Sequence, residues 1–292
     1  MKPASFEYHR PQSVSETLDC FARLEGDVRL IAGGQSLVPM LNLRLARPDH
    51  LVDLNDLSEL DYVREEDGHI VVGALVRHHR LATDALVRAA VPVLSAGAAS
   101  IGHYAIRQRG TLGGSLAHAD PAAQLPLLAV LLDAEIDCVS QSGRRLVPAA
   151  EFFESLMTTA LAPDEMIAGV RIRKSRPDTG WGFELFSQRQ GDFAVVATGA
   201  LVDRAEDGTV RRLRLAIAGI GATPVTLDPI TEPFVGRVPD DTWLRRLADA
   251  VSDGCEIEET RIPAIFRKEL THELSRRAVV AALARARDAG KP

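Results

Sequence analysis

Two consecutive glycines occur twice in the first 120 residues, in IAGGQSLVPML (31–41) and in TLGGSLAHADP (111–121). Each pair stands between a run that reads as extended and a run that reads as helical, and each is followed by a serine, Ser36 or Ser115. Glycine permits positive φ and lets a ligand reach the main chain with no Cβ in the way. At a strand-to-helix turn it also exposes N–H groups beside the partial positive charge of a helix N-terminus, a combination that suits a pyrophosphate. One such pair usually marks a plain turn. Two in the same half of the chain point to a single two-sided anion grip, with Thr111 and Ser115 as flanking hydroxyl donors. Neither is a Rossmann or P-loop fingerprint, because G-x-G-x-x-G after the first strand and G-x-x-x-x-G-K-[ST] anywhere are absent. A third glycine turn, GIGATP (219–224), follows a strand and precedes prolines, and reads as a strand end.

The surrounding pattern is α/β. Val14, Leu18, Phe21 and Leu24 fall at helical spacing after a capping serine, which predicts a helix over 14–24. VRLIA reads as a strand, SLVPMLNLRLA as a helix and HLVDL as a second strand, so the first 55 or so residues predict a small parallel sheet. A strand is expected at 69–76 after the Asp67-Gly68 turn, and helical character at 78–90. PAAQLPLLAVLLDA predicts a helix with Pro121 in its first turn. AEIDCVS and EMIAGVRIR then read as strands, with GRRLVPAAEFF as a turn and return between them. Residues 1–175 thus form two subdomains, about 1–57 and 58–175, and KSRPDTGWG (174–182) marks a boundary. In 180–288, FELFSQR, AVVATGALVD and VRRLRLAIAGI predict a three-stranded antiparallel sheet, followed by helices near 241–252 and 264–287.

Composition narrows the function. Of 292 residues, 46% are hydrophobic and 25% charged, as in ordinary soluble proteins, and the longest apolar run, LPLLAVLL, is too short to span a bilayer. With no secretory pattern at the start, a cytoplasmic location is expected. A net charge of −6 argues against a nucleic-acid surface. Cys20, Cys138 and Cys255 lack zinc or iron–sulfur spacing, and His78-His79 lack a third ligand at metal spacing, so no metal is expected on this chain. No G-x-S-x-G elbow is present, and His118 and Asp120 point to opposite faces if their segment is extended. No catalytic side chain is expected; surface or capping roles suit His78, His79, His118 and Asp120.

AGGQSLVPMLNLRLARPDHLVDLN, VGALVRHH, IRQRGTLGGSLAHADPAAQLPLLAVLLDAE, TTALAPDEMIAGVRI and RQGDFAVVATGA, in that order, resemble the FAD-binding medium subunit of molybdenum hydroxylases, the xanthine dehydrogenase and carbon monoxide dehydrogenase group. The resemblance, which continues through a C-terminal helical region at 261–287, implies an α+β chain. A two-part FAD-binding domain of the PCMH/VAO type would be followed by the C-terminal sheet-and-helix domain. It implies FAD held by Ala32, Gly33, Gly34, Gln35, Ser36 and Leu37 of one loop and by Thr111, Leu112, Gly113, Gly114 and Ser115 of the other, through backbone N–H groups and hydroxyls. Asp120 and Gln124 follow in the same segment, Ile101 and Ile167 match apolar residues against the flavin, and Asp192 and Phe193 lie in a loop that approaches it. Two positions depart from the family: Gln124 stands where aspartate is usual, and Ser187 where the single-chain dehydrogenases carry lysine.

The implied function is a relay. A large subunit with the molybdenum cofactor and a small subunit with two [2Fe-2S] clusters deliver electrons to the FAD of this chain, which passes them to an acceptor, in a dimer of heterotrimers. The clusters would then lie on another chain, in keeping with the cysteine spacing here. Two rivals predict other behaviour: a free-standing flavin oxidoreductase with its own substrate pocket, and an assembly subunit that has lost FAD.

Overall fold

The computed structural model describes residues 2–286. The ends of the expected last helix, at 287, and of the expected C-terminal domain, at 288, lie outside the described residues.

The chain opens with β1 (Glu7–His9), α1 (Val14–Arg23), β2 (Val28–Ile31), α2 (Leu37–Asn42) and β3 (His50–Asp53). The strands form the expected parallel sheet, in the order β1-β3-β2. Ser13 caps α1 by accepting from the Glu16 N–H, and the helix lays Leu18 and Cys20 against Val52 and Leu54.

Next come β4 (Val63–Glu66), β5 (His69–Gly73), α3 (His78–Thr83), α4 (Ala85–Ala90), α5 (Pro92–Ala99), α6 (Tyr104–Arg109), α7 (Leu112–His118) and α8 (Gln124–Leu131). They are followed by β6 (Glu135–Ser140), β7 (Gly143–Pro148), α9 (Ala149–Phe152), β8 (Phe153–Ser155), β9 (Thr158–Thr159) and β10 (Met166–Arg173). Five of these strands make an antiparallel sheet in the order β4-β5-β10-β6-β7. Asp67 and Gly68, both at positive φ, make the tight turn between β4 and β5. The helical stretch expected at 78–90 is broken at Asp84, whose carboxylate ends one helix and caps the next through Leu86 N and Val87 N.

Last come β11 (Gly180–Phe186), β12 (Val196–Arg204), β13 (Val210–Ala218), β14 (Val225–Thr226), α10 (Asp228–Thr231), α11 (Asp241–Gly254) and α12 (Ala264–Arg285). The three strands expected are joined by the two-residue β14 in an antiparallel sheet. One face of this sheet packs on α11 and α12, through Ala200, Val202, Leu247, Val251, Ala278 and Ala282. The other face joins the core of the first half, through Ala197, Leu201 and Ala216 against the α5–α8 helices. Residues 196–203 of β12 are therefore buried on both faces, and α8, enclosed on every side, is buried at all eight positions. Gly180 and Gly182 let α12 approach β11 closely, since a Cβ there would lie 1.9 Å from the Ala282 and Ala278 carbonyl oxygens.

Two local expectations fail. Gly113 and Gly114 are not in a loop after a strand; they lie inside α7, which Thr111 caps through the Gly114 N–H and which α6 precedes. Pro121 does not begin α8, which starts at Gln124. Asp120 instead holds residues 120–123 in a turn, its carboxylate accepting from Ala122 N and its carbonyl from Ala123 N.

Candidate functional site

At the C-terminal end of β2 the chain turns sharply through Gly33 and Gly34, the latter at φ +70°. Among the described residues, the backbone N–H groups of Gly33, Gly34, Gln35, Ser36 and Leu37 donate to no protein acceptor. Gln35 folds its side-chain amide back onto the Gly33 carbonyl at 2.8 Å, which steadies the turn without using those donors. Five successive amides at the start of a short helix are thus left free for an anion.

The second glycine segment is built differently. Its amides are already bonded within the protein: Leu112 N to Val76 O at 3.0 Å, Gly113 N to Ala74 O at 2.8 Å, Gly114 N to Thr111 Oγ1 at 3.1 Å and Ser115 N to Thr111 O at 3.1 Å. The expectation that both segments offer backbone N–H groups alike is thereby corrected, because helix capping and the end of β5 use those of the second. What it presents are hydroxyls and glycine surface. Gly113 packs against Ala74, where a Cβ would lie 2.7 Å from the Ala74 Cβ, and Gly114 is exposed.

His78 fastens this segment. Its Nε2 lies 2.9 Å from the Thr111 carbonyl oxygen and 3.1 Å from Ser115 Oγ. Burial, with a smaller contribution from Arg77 and Arg107, brings its pKa down to about 4 against the opposing Thr111 bond. The imidazole is therefore neutral near pH 7 and carries its proton on Nε2, where the acceptors are. The surface role expected for His78 is wrong: it is 5% exposed. Gly110 is fitted to it, since a Cβ there would fall 2.6 Å from His78 Nδ1.

A hydrogen-bonded chain joins the two segments. Asn55 Nδ2 donates to the Ala32 carbonyl at 2.9 Å, Arg77 Nη2 donates to Asn55 Oδ1 at 2.7 Å, and Arg77 Nη1 donates to the Arg109 carbonyl. Burial and the neighbouring Arg109 hold the Arg77 pKa below its usual value.

Between the segments lies a cavity of about 730 Å³, within the range of small-molecule and cofactor sites. Its wall takes in Ala32, Gly33, Gly34, Gln35, Ser36 and Leu37 on one side and Thr111, Gly113, Gly114 and Ser115 on the other. Ile101, Gln124, Ile167, Asp192 and Phe193 complete the expected set found there. Two expected residues do not line it: Leu112 is 2% exposed and packs in the core, and Asp120 uses its carboxylate on the turn before α8. Gln124 is 4% exposed on the cavity wall, and no hydrogen bond of its side-chain amide is found among the described residues. Phe193 is 54% exposed at the rim, carried by the β11–β12 connection. That connection packs on the first half of the chain at His103, whose Cε1 a Cβ on Gly191 would meet at 2.4 Å.

Sequence reasoning missed Arg77, Asn55 and His78, and also the wall segment 157–165 around the β8–β9 hairpin. A buried histidine at a helix start carries no distinguishing local pattern. The bidentate Arg145–Glu165 pair that anchors the hairpin joins residues 20 apart.

Residues 4–174 match the family described as the FAD binding domain in molybdopterin dehydrogenase, and residues 181–282 match the CO dehydrogenase flavoprotein C-terminal domain. The chain is 38% identical to the caffeine dehydrogenase subunit beta of Pseudomonas sp. (strain CBB1), over 89% of this chain and 91% of that one. It is 34% identical to the carbon monoxide dehydrogenase medium chain of Hydrogenophaga pseudoflava, over 98% of this chain and 99% of that one. A solved carbon monoxide dehydrogenase from Hydrogenophaga pseudoflava, lacking the Mo-pyranopterin moiety, superposes with a TM-score of 0.94 at 33% identity, over 98% of this chain and 100% of that one. Among the described residues no helix is long and apolar enough to cross a membrane.

Proposed function

Because this chain belongs to the family of FAD-binding medium subunits of molybdenum-containing dehydrogenases of the carbon monoxide dehydrogenase type, we propose that it carries FAD in the cavity between its two glycine segments. There it relays electrons from [2Fe-2S] clusters on a small partner subunit, fed by a large molybdenum subunit, to an external acceptor. The observation that carries this reading is the row of amides at Gly33–Leu37, without an acceptor among the described residues, on the wall of the cavity that Gly114 and Ser115 also line.

The residues present fit the group. The amides of the first segment would donate to diphosphate oxygens, and the exposed surface of Gly114 would admit the group without a side chain in the way. Ser115 Oγ accepts from the neutral His78, so its own proton is left to point into the cavity. Gln124 is a buried amide without a partner among the described residues, able to hydrogen-bond a sugar-alcohol hydroxyl without adding charge. Ile101 and Ile167 supply apolar walls for a flavin ring, and Phe193 covers the rim. FAD supplies the redox chemistry by accepting electrons singly and in pairs, so the protein's part is binding, orientation and electrostatics. No side-chain acid or base is called for.

The relatives named for caffeine and for carbon monoxide are 38% and 34% identical to this chain, so resemblance here does not choose a substrate, whose selection we assign to the molybdenum subunit. The test is purification of the chain with its partners. A flavin band near about 450 nm and co-purification of two further chains, one rich in cysteine, are expected. A colourless preparation after gentle handling would favour the flavin-free assembly subunit, and a yellow protein that turns over substrate alone would favour the free-standing oxidoreductase.

A further inference from the structure

Glu7 and His9 stand two residues apart on β1, so their side chains leave the same face of the strand, and β3 runs parallel with His50 in register with Glu7. Three potential ligand atoms meet there. His9 Nε2 lies 3.1 Å from His50 Nδ1, Glu7 Oε2 lies 3.4 Å from His50 Nδ1, and Glu7 Oε2 lies 3.9 Å from His9 Nε2. A tetrahedral zinc-type ion with bonds of about 2.0–2.1 Å holds its ligand atoms about 3.3–3.4 Å apart, and the three separations bracket that edge length. The far nitrogen of His50, Nε2, lies 3.1 Å from the Glu25 carbonyl oxygen. A proton is thereby fixed on Nε2, and the lone pair of Nδ1 faces the cluster, the arrangement by which an outer carbonyl orients a ligating imidazole.

We propose that Glu7, His9 and His50 form a site for a divalent transition-metal cation of the zinc type, with a solvent-open fourth position. Two imidazoles and one carboxylate are a borderline donor set that favours Zn²⁺ or Cu²⁺ over the hard cations Mg²⁺ and Ca²⁺. The side chains of His9 and His50 are 22% and 15% exposed, while that of Glu7 is 73% exposed, so an ion can enter from solvent. None of the three lines the 730 Å³ cavity, so the site stands apart from the flavin reading. The ion would clamp the three-residue β1 onto β3. No sequence spacing reveals it, because its third ligand arrives through strand pairing from 41 residues away.

The full chain, stripped with a chelator and dialysed against Zn²⁺, tests this by metal analysis and by thermal unfolding. The expected result is one more zinc per chain in the wild type than in a His9→Gln/His50→Gln variant, and a Zn²⁺-dependent rise in Tm that the variant lacks. Glu7→Gln, at a side chain that is 73% exposed, is expected to weaken zinc binding at least tenfold while leaving flavin content unchanged. Equal zinc uptake and equal Tm shifts in the wild type and both variants would overturn the site, leaving a hydrogen-bonded His9–His50 pair beside a surface carboxylate. Saturation of the wild type by Mg²⁺ as readily as by Zn²⁺ would overturn its assignment to a transition metal.

Discussion

Gly33 lies directly against the main chain of Arg109: a Cβ built on Gly33 would fall 2.2 Å from the Arg109 carbonyl oxygen and 2.8 Å from the Gly110 Cα. Gly33 thus touches the residues that lead into the second glycine segment, more than 70 positions further along the sequence, and the glycine is needed for that contact before any ligand arrives.

A difference between two glycine variants follows. Gly33→Ala drives a methyl into backbone that has no room to yield, so it is expected to destabilise the fold by about 2–3 kcal/mol and to lose FAD with it. At Gly114 a Cβ meets only Thr111 Oγ1, at 2.8 Å, and otherwise points into open space. Gly114→Val should therefore keep most of the thermal stability, lowered by up to about 1 kcal/mol through the strained cap, while its flavin content collapses. Flavin-to-protein absorbance together with Tm separates the two. Full flavin in Gly114→Val would remove the second segment from the binding site.

His78 makes stability depend on pH. Its pKa in the folded protein is about 4, against about 6.5 in an unfolded chain, so between these values the unfolded state binds more protons than the native one. The contribution is fully present above about pH 6.5 and falls away as pH drops towards 4, by up to about 3 kcal/mol. Urea unfolding followed across that window should show a shallower pH slope in His78→Gln. An identical slope in wild type and variant would mean that His78 does not titrate as its burial implies.

Gln124 places on the cavity wall an amide without a partner among the described residues. Gln124→Leu removes its hydrogen-bonding capacity at similar volume and is expected to raise the Kd for FAD about tenfold with little change in Tm. Gln124→Asp restores an acceptor with a charge and should recover or exceed wild-type affinity. Fluorescence titration of the apoprotein with FAD measures both, and unchanged affinity in Gln124→Leu would place the cofactor elsewhere.

The Arg77 link between the segments is testable without any ligand. Arg77→Met keeps the aliphatic stem but removes the bonds to Asn55 and Arg109. Hydrogen exchange at the bonded amides of Val38 and Met40, which hold the Gly34 and Ser36 carbonyls, and at those of Leu112–Ser115 should then quicken together, because one side chain restrains both. Acceleration on one side only would show that the segments are held independently.

Much of the fold was legible locally. Period-3.6 spacing and a serine cap placed α1, the Asp-Gly turn placed the start of β5, and the three alternating runs after residue 180 placed β11, β12 and β13. The two failures have different causes, one tertiary and one local. The TLGGSLA run reads as a glycine loop because glycine is a poor helix former, yet tertiary contact reverses that preference: only glycine at 113 fits against Ala74, and the Thr111 cap starts a helix there. Pro121 suits a first helical turn, but Asp120 folds residues 120–123 into a turn of its own.

The sequence by itself determined the helix-and-strand pattern, with a sheet of antiparallel strands after residue 180, and the two glycine segments in one half of the chain, because φ freedom, side-chain period and hydroxyl placement are properties of neighbouring residues. Only the tertiary structure decided how the segments divide the work. Which amides remain free depends on partners at Val76 and Ala74, and which side chains lock the grip depends on Asn55, Arg77 and His78 arriving from other elements. Hydrogen-bond satisfaction and van der Waals exclusion act between atoms brought together by folding, and residue order records them only through the whole fold.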